Sequence, residues 1–312
     1  MQLLINIVLP VFAIIFAGWF AIRSEIMDKS AAKILNNYVY YFAVPPMLFL
    51  ATAKVPAADI INADFILAFF LAIFAIMAIT LAPYILRKSE RPMDLMVLSL
   101  TTGWPNTIYM GIPIAYFLFG DKGTLPVVIA TLSTNAVFII ALALVSGLAD
   151  SDEKGIAKIW AFLSKAFFKN PVILAPTLGL LISHYQIGLP EAIYNLFEMV
   201  APSAAPVALF SLGLSLYGLS IKANALQVSW IGFQKLVLHP LIALGIVLWM
   251  DLEPFLAASV ILMCALPTGS MVYVLAQQYN TRVELASSVI FLTTLGSLIT
   301  LGITLPLLNA WS

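Results

Sequence analysis

The sequence predicts an all-α membrane protein with ten transmembrane helices arranged as two inverted five-helix repeats. Hydrophobic residues make up 62% of the 312 residues and charged residues only 10%, whereas a soluble domain is nearer half apolar and a quarter charged. Ten segments are long and apolar enough to cross a bilayer, which takes about 20 residues each. The basic residues also lie almost entirely in alternate loops.

The predicted spans follow one another closely, with a longer connection only in the middle of the chain. They cover residues 3–22, 32–52, 65–86, 94–119, 124–148, 171–187, 201–219, 225–249, 255–276 and 284–307. Residues 1–149 thus form one repeat and residues 171–312 the other. Between them, residues 150–170 read as a polar cytoplasmic loop followed by an amphipathic helix whose lysines face lipid headgroups. Residues 191–200 read as a second, acidic interfacial helix on the opposite side.

The positions of the basic residues predict the orientation. Twelve of the 15 Lys and Arg residues fall in the odd-numbered loops, and two, Lys54 and Lys122, fall in the even-numbered ones. Basic residues concentrate in cytoplasmic loops, so the odd loops are expected in the cytoplasm and both termini outside it. Five spans per half would give the two halves opposite orientations.

Composition also excludes several classes of function. The net charge is zero, which gives no case for nucleic-acid binding. A single cysteine, Cys264, and two distant histidines, His184 and His239, make a metal site unexpected. We find no phosphate-binding glycine-rich motif, no cofactor motif, and no paired acids or Ser with His at membrane depth. An enzyme is therefore not expected. The first 22 residues read as a mature helix rather than a signal peptide.

Two spans carry breaks that a transmembrane helix rarely tolerates without a reason. Residues 101–113 in span four include Pro105 and Pro113, and residues 265–270 in span nine include Pro267. Proline removes a backbone donor and clashes with the preceding turn, and freed backbone groups in hydrocarbon cost several kcal/mol each. Paired breaks at corresponding positions of two halves predict an inverted-repeat secondary transporter with its site near the midplane.

The two breaks carry groups suited to an anion. A half-helix beginning at the break would present unpaired N–H groups and a partial positive charge, and amide and hydroxyl side chains stand beside it. The alternative to a binding site is a pair of proline kinks that are tolerated for packing. Matching breaks in two spans weaken that alternative. The candidate substrate-binding residues are Pro105, Asn106, Thr107, Pro113, Pro267, Thr268 and Gly269.

Two ionisable residues are further candidates. Lys235 lies about ten residues into span eight, near the midplane, where a charge costs about 2.5–3.5 kcal/mol on insertion scales. It could pair an anionic substrate, change protonation during transport, or take the place of a coupling cation; equally, it could neutralise carbonyls of a broken span and support the fold. Asp64 lies at the start of span three. An acid in that position usually caps the helix, and we favour that interpretation over a role in proton coupling.

Several of these motifs together resemble the auxin efflux carrier family, which includes plant PIN proteins and bacterial carriers of small dicarboxylates. The similarity covers essentially all ten spans. It rests on Leu35-Asn36-Asn37-Tyr38-Val39 with Phe42-Ala43-Val44-Pro45, Pro105-Asn106-Thr107 with Met110-Gly111-Ile112-Pro113, Gly120-Asp121, Asn170-Pro171, Phe210-Ser211-Leu212-Gly213-Leu214, Lys235 five residues before Pro240, and Ala265-Leu266-Pro267 with Gly269 and Tyr279-Asn280.

The resemblance implies a fold like that of bile-acid transporters and sodium/proton antiporters. Spans one, two, six and seven would form a scaffold, spans three to five and eight to ten a moving core, and spans four and nine would cross at their prolines. It further implies elevator-like transport of a small organic anion, either auxin-like or a dicarboxylate such as malate or malonate, at Asn106. A homodimer and possible proton coupling through Asp64 also follow from the resemblance.

The short central loop is similar to that of prokaryotic members, and this resemblance implies a location in a bacterial inner membrane. Two other functions stay open on the sequence: a sodium-coupled symporter of the bile-acid-transporter type, and a membrane sensor that transports nothing.

Overall fold

The chain is helical along nearly all of its described length. The computed structural model describes residues 6, 8–53, 62–87, 90–149, 168–219 and 223–311; of residues 87, 121 and 142–149 it describes the backbone. Within these ranges one isolated bridge is the only β-type pairing. Most of the predicted central loop and amphipathic helix, residues 150–167, lies outside the described residues.

The helices run in chain order with two interruptions. We number them α1 to α10 and divide α4 and α9 at their breaks. They are α1 (Leu9–Arg23), α2 (30–53), α3 (Ala63–Arg87), α4a (Pro92–Gly103), α4b (Thr107–Phe119), α5 (Asp121–Ala149), α6 (Pro171–His184), α7 (Glu191–Leu216), α8 (Ala225–Trp249), α9a (Pro254–Ala265), α9b (Met271–Gln278) and α10 (Val283–Trp311). The predicted breaks in spans four and nine are confirmed.

Five described segments are long and apolar enough to cross a membrane by length and composition. They are Ala63–Leu86, Lys122–Ala141, Glu191–Leu216, Ala225–Trp249 and Val283–Trp311, and shorter apolar helices include Leu9–Arg23, Thr107–Phe119, Pro171–His184 and Pro254–Ala265. The protein is thus an all-helical, multi-pass membrane protein. The count of ten spans and the inverted repeat stay predictions.

The prediction of a separate interfacial helix at residues 191–200 was incomplete. Glu191–Val200 is helical, but one 3₁₀ turn at Ala201–Ser203 joins it directly to Ala204–Leu216. Pro202 lies in the first positions of that turn, where its missing N–H removes no hydrogen bond. The chain therefore continues as one long helix where the sequence suggested two.

Three of the helices contain a wide π turn directly before a proline. These turns are Val39–Ala43, Thr107–Gly111 and Gln234–Leu238, and each ends two residues before Pro45, Pro113 or Pro240. A proline ring clashes with the carbonyl four residues earlier and offers no N–H to it. A π turn widens the helix at that carbonyl, so these prolines are accommodated without a full break.

Two helix pairs pack closely at glycines. A Cβ added to Gly18 of α1 would lie 2.0 Å from the carbonyl oxygen of Phe210 in α7, and one on Gly213 of α7 would lie 1.9 Å from that of Ile15 in α1. Likewise, a Cβ on Gly179 of α6 would lie 2.6 Å from the carbonyl oxygen of Phe49 in α2. Small residues allow such backbone approach in membrane proteins, so α1 pairs with α7 and α2 with α6.

Candidate functional site

The breaks in α4 and α9 are hydrogen-bonded directly to each other. The N–H of Asn106 donates to the carbonyl of Pro267 at 2.9 Å, and the N–H of Gly269 donates to the carbonyl of Trp104 at 2.9 Å. The two segments form an antiparallel bridge between Pro105 and Thr268. Backbone groups that the breaks would leave unpaired in hydrocarbon are thus satisfied by the partner break, and the two helices cross here.

Thr268 stabilises the end of the opposite half-helix. Its hydroxyl donates to the carbonyl of Thr101 at 2.6 Å, and its N–H donates to Oγ1 of Thr293 at 3.2 Å. Thr101 lies in the last turn of α4a, where carbonyls lack helical partners. The Thr268 side chain, fully buried, therefore serves the crossing itself.

Asn106 carries a buried donor that has no partner. Its Oδ1 accepts the N–H of Tyr109 at 3.3 Å, and its backbone carbonyl accepts the N–H groups of Met110 and Gly111. Its Nδ2 makes no hydrogen bond among the described residues, although Asn106 is only 3% exposed. An unsatisfied buried donor costs about 1–3 kcal/mol, so this amide is suited to a ligand acceptor.

A cavity of about 890 Å³ leads to Asn106. Lys29 and Lys33 line it and are exposed to solvent, whereas Trp104, Pro105, Asn106 and Thr107 line it at the crossing. Between these ends the wall is rich in amides and hydroxyls. The further polar lining residues are Asn36, Asn37, Tyr40, Tyr41, Tyr109, Asn135, Asn170, Ser215, Tyr217, Ser270, Tyr273 and Gln277.

The charge of this lining is positive. Among the described residues that line the cavity, Lys29 and Lys33 are the charged ones, and none is Asp, Glu, His or Arg. Nζ of Lys29 lies 5.7 Å from the centre of the Tyr217 ring, a cation–π distance. A wall with two cations, many neutral donors and no described acid can attract and hold an anion.

Lys235 lies outside the cavity lining, in the π turn of α8. It is fully buried, and its Nζ contacts Nδ1 of His239 at 3.0 Å and the carbonyl oxygen of Cys264 at 3.4 Å. Cys264 is in the last turn of α9a, where the helix dipole favours a cation. These contacts favour support of the fold among the alternatives that the sequence left open, and the role of Lys235 stays a prediction.

The other predicted site residues divide between the cavity and its surroundings. Gly269 lines the cavity with Pro105, Asn106 and Thr107. Pro267 contributes its carbonyl to the crossing, and Pro113 is buried in the first turn of Ile112–Phe119, away from the lining. Asp64 is exposed in the first turn of α3, also away from the lining, and Asn62 is the residue whose side chain caps that helix.

The sequence did not indicate that residues in or next to α2 and α6 line the cavity. Lys29 and Lys33 were used only to orient the chain, although their spacing of four residues puts both on one helix face. Tyr40 and Asn170 were also missed; the hydroxyl of Tyr40 donates to Oδ1 of Asn170 at 2.9 Å. The available signal was the run of amides and tyrosines at the start of span two.

Comparisons with known proteins point to membrane transporters. A family model described as "Membrane transport protein" matches residues 3–305. A protein of Rhizobium meliloti (strain 1021) named "Putative malonate transporter" is 29% identical over 303 residues, which is 95% of this chain and 92% of that protein. "Uncharacterized transporter YfdV" of Escherichia coli (strain K12) is 25% identical over 94% of this chain and 93% of its own. "Uncharacterized transporter MJ1031" of Methanocaldococcus jannaschii is 25% identical over 96% of both chains.

Proposed function

Because the chain belongs to the auxin efflux carrier family of membrane transport proteins, we propose that it is a secondary carrier of a small organic anion. The observation that carries the proposal is the cavity that joins Lys29 and Lys33 to the unpartnered amide of Asn106. The lysines attract an anion to the mouth, and Asn106 offers it a desolvated hydrogen bond at the crossing.

The substrate class that fits best is a short dicarboxylate such as malonate or malate. Neutral donors would suffice at the inner end, because hydrogen bonds to a buried group such as Asn106 are stronger than those in water. The charged lysines at the outer end favour an anion with two negative charges over an anion with one. The name of the Rhizobium meliloti relative refers to malonate, which supports the same class.

The mechanism proposed is alternating access by a moving core within ten spans. The close pairs α1–α7 and α2–α6 would form the scaffold, and α3–α5 with α8–α10 would carry the crossing past it. Hydrogen bonds between the two breaks favour motion of α4 and α9 as one body. With the odd loops in the cytoplasm, the lysine mouth would face inward in this conformation. A homodimer in a bacterial inner membrane, with both termini outside the cytoplasm, completes the proposal.

Uptake of radiolabelled malonate, malate and succinate into proteoliposomes tests this function. Asn106→Ala removes a hydrogen bond to a charged group, which contributes about 1.5–3 kcal/mol, so uptake at low substrate should fall about tenfold or more. Asn309→Ala, at an exposed asparagine near the end of α10, is the matched control and should leave uptake unchanged. Wild-type uptake by Asn106→Ala would refute the site, and no flux of any organic anion would refute the function.

The two lysines predict a different kinetic change. Replacing both Lys29 and Lys33 by Gln should raise KM severalfold and leave the maximal rate largely intact, because they steer the anion rather than hold it at the crossing. Salt should reduce wild-type uptake more than uptake by this double variant. The same proteoliposomes, with potassium in place of sodium or with the proton gradient collapsed, distinguish sodium coupling from proton coupling.

A further inference from the structure

Trp104 holds a fixed position in the wall of the cavity at the crossing. Its backbone is extended where α4a ends, with φ −101° and ψ 100°. Its ring stacks on that of Phe138 in α5, with centroids 4.7 Å apart and planes 17° apart. Phe138 is buried, so one face of the indole rests on a packed part of the core.

The indole edge is in contact with the opposite break. A Cβ added to Gly269 would lie 3.0 Å from Cδ1 of Trp104 and 3.2 Å from the carbonyl oxygen of Pro105. The N–H of Gly269 also donates to the Trp104 carbonyl. Since glycine leaves just enough room for the ring, the indole is held between α5 and the α9 break and can shift little.

The indole N–H is a donor without an acceptor among the described residues. Indole nitrogen is a donor only, and in the part of the chain that the structure describes Nε1 of Trp104 makes no hydrogen bond with the protein. Trp104 and Asn106 both line the cavity and both carry an N–H without a protein acceptor. They flank Pro105, so the inner end of the cavity has two neutral donors and one rigid aromatic plate.

We propose that Trp104 determines the specificity of the carrier by closing the crossing end of the cavity to anions with bulky groups. This inference rests on the proposed function and names its selectivity. A compact carboxylate end reaches Asn106 beside the indole, whereas an aromatic or branched acid meets the ring. Phe138 and Gly269 act as positioning residues, because they hold the plate in place.

Competition during malonate uptake tests the proposal, with phenylacetate as the bulky competitor and succinate as the compact one. In wild-type proteoliposomes succinate should compete and phenylacetate should not. In Trp104→Ala, phenylacetate should inhibit malonate uptake at a concentration at least about tenfold lower than in wild type. A factor of this size is typical of a pocket that discriminates by size. Trp104→Phe retains the plate without the N–H, so phenylacetate should stay excluded while the KM for malonate rises severalfold.

Two further variants test the positioning of the ring. Phe138→Leu removes the stacking partner and should relax exclusion part of the way toward Trp104→Ala. Gly269→Ala pushes the ring into the cavity and should lower malonate uptake without admitting phenylacetate. Trp249→Ala, at a tryptophan 79% exposed on α8, is the control for loss of an indole elsewhere.

The outcomes separate this inference from the proposed function. If wild type carries malonate and Trp104→Ala keeps the wild-type ratio of malonate to phenylacetate competition, Trp104 does not set selectivity. If wild type carries no dicarboxylate, the proposed substrate class fails, and if it carries no organic anion at all, the proposed function itself fails. Should Trp104→Ala give no monodisperse protein, Trp104→Leu and Phe138→Leu decide: unchanged exclusion in both overturns the inference, and relaxed exclusion in either supports it.

Discussion

Nζ of Lys235 lies 3.0 Å from Nδ1 of His239 and 3.4 Å from the carbonyl oxygen of Cys264. Lys235 and His239 are both fully buried, and Cys264 lies one residue before the end of α9a. The contact joins α8 to the negative end of a half-helix dipole. We expect a lysine in this position to stabilise the break in α9 through the Cys264 carbonyl.

We therefore expect Lys235→Met to lower the stability of the folded protein more than it lowers the affinity for substrate. The change leaves His239 and the Cys264 carbonyl without a donor, and a buried group left unsatisfied costs about 1–3 kcal/mol. The temperature of thermal unfolding in detergent should fall clearly. The maximal transport rate should also fall, whereas KM should stay unchanged. Lys122→Met, at an exposed lysine near the start of α5, is the control. A tenfold rise in KM at wild-type stability would show instead that Lys235 contacts the anion.

Asp94 connects the start of α4a to the turn between α9b and α10. Its carboxylate accepts hydrogen bonds from Nε of Arg91 at 2.8 Å, from Nη2 of Arg91 at 3.3 Å and from the hydroxyl of Thr281. Arg282 forms an ion pair with Glu90 beside it. The carboxylate of Asp94 raises the pKa of the exposed Arg91 guanidinium. Because Thr281 is buried, we expect its hydrogen bond to Asp94 to stabilise the fold more than the Arg91 contact does.

Thr281→Val should accordingly destabilise the protein by about 1–3 kcal/mol, because Asp94 then loses a buried donor. Arg91→Gln should have a smaller effect, since surface ion pairs contribute little and the Arg91 side chain is 76% exposed. A double-mutant cycle between Asp94→Asn and Thr281→Val, followed by thermal unfolding, measures the coupling. Additive effects of the two changes would mean that this contact does not stabilise the fold.

The helices and their breaks could be predicted from the sequence because their causes are local. Pro105 and Pro267 interrupt helical hydrogen bonding wherever they occur, and 62% hydrophobic composition already implies a membrane protein. The crossing of the two broken spans was implied by the family resemblance, and the backbone hydrogen bonds between the breaks agree with it. The π turns before Pro45, Pro113 and Pro240 were not predicted, because a proline alone does not say whether a helix widens or stops.

The cavity lining could not be predicted in the same way. Sequence depth places a residue along the membrane normal, but the direction it faces depends on how the helices pack. Lys235 was predicted near the midplane as a candidate for substrate binding, and it lies beside α9a rather than in the cavity. Lys29, which looked like an orientation signal, lines the cavity instead. The backbone N–H of Asn106 donates to the carbonyl of Pro267, more than 150 positions away, and no local pattern contains that contact.

Close helix packing predicts a sharp difference between glycines. Gly213→Ala places a Cβ 1.9 Å from the carbonyl oxygen of Ile15, so α1 and α7 must separate; overpacking of this kind costs about 1–3 kcal/mol. Gly245→Ala, in α8, meets nothing within 4 Å and should be neutral or stabilising by up to about 1 kcal/mol. Thermal unfolding of the two variants in detergent compares them. Equal stability would mean that α1 and α7 are not packed through Gly213.

Thr268 gives a test of the crossing that leaves the cavity wall intact. Thr268→Val keeps the shape of the side chain but removes the donor to the Thr101 carbonyl, which leaves the end of α4a short of one buried hydrogen bond. We expect a loss of about 1–3 kcal/mol in stability and a lower maximal transport rate, because the two breaks then move less readily as one body. Thr268→Ser retains the hydroxyl and should stay close to wild type in both measurements. If the valine and serine variants behave alike, the hydroxyl of Thr268 does not hold the half-helices together, and the crossing depends on the backbone pairs of Asn106 and Gly269 alone.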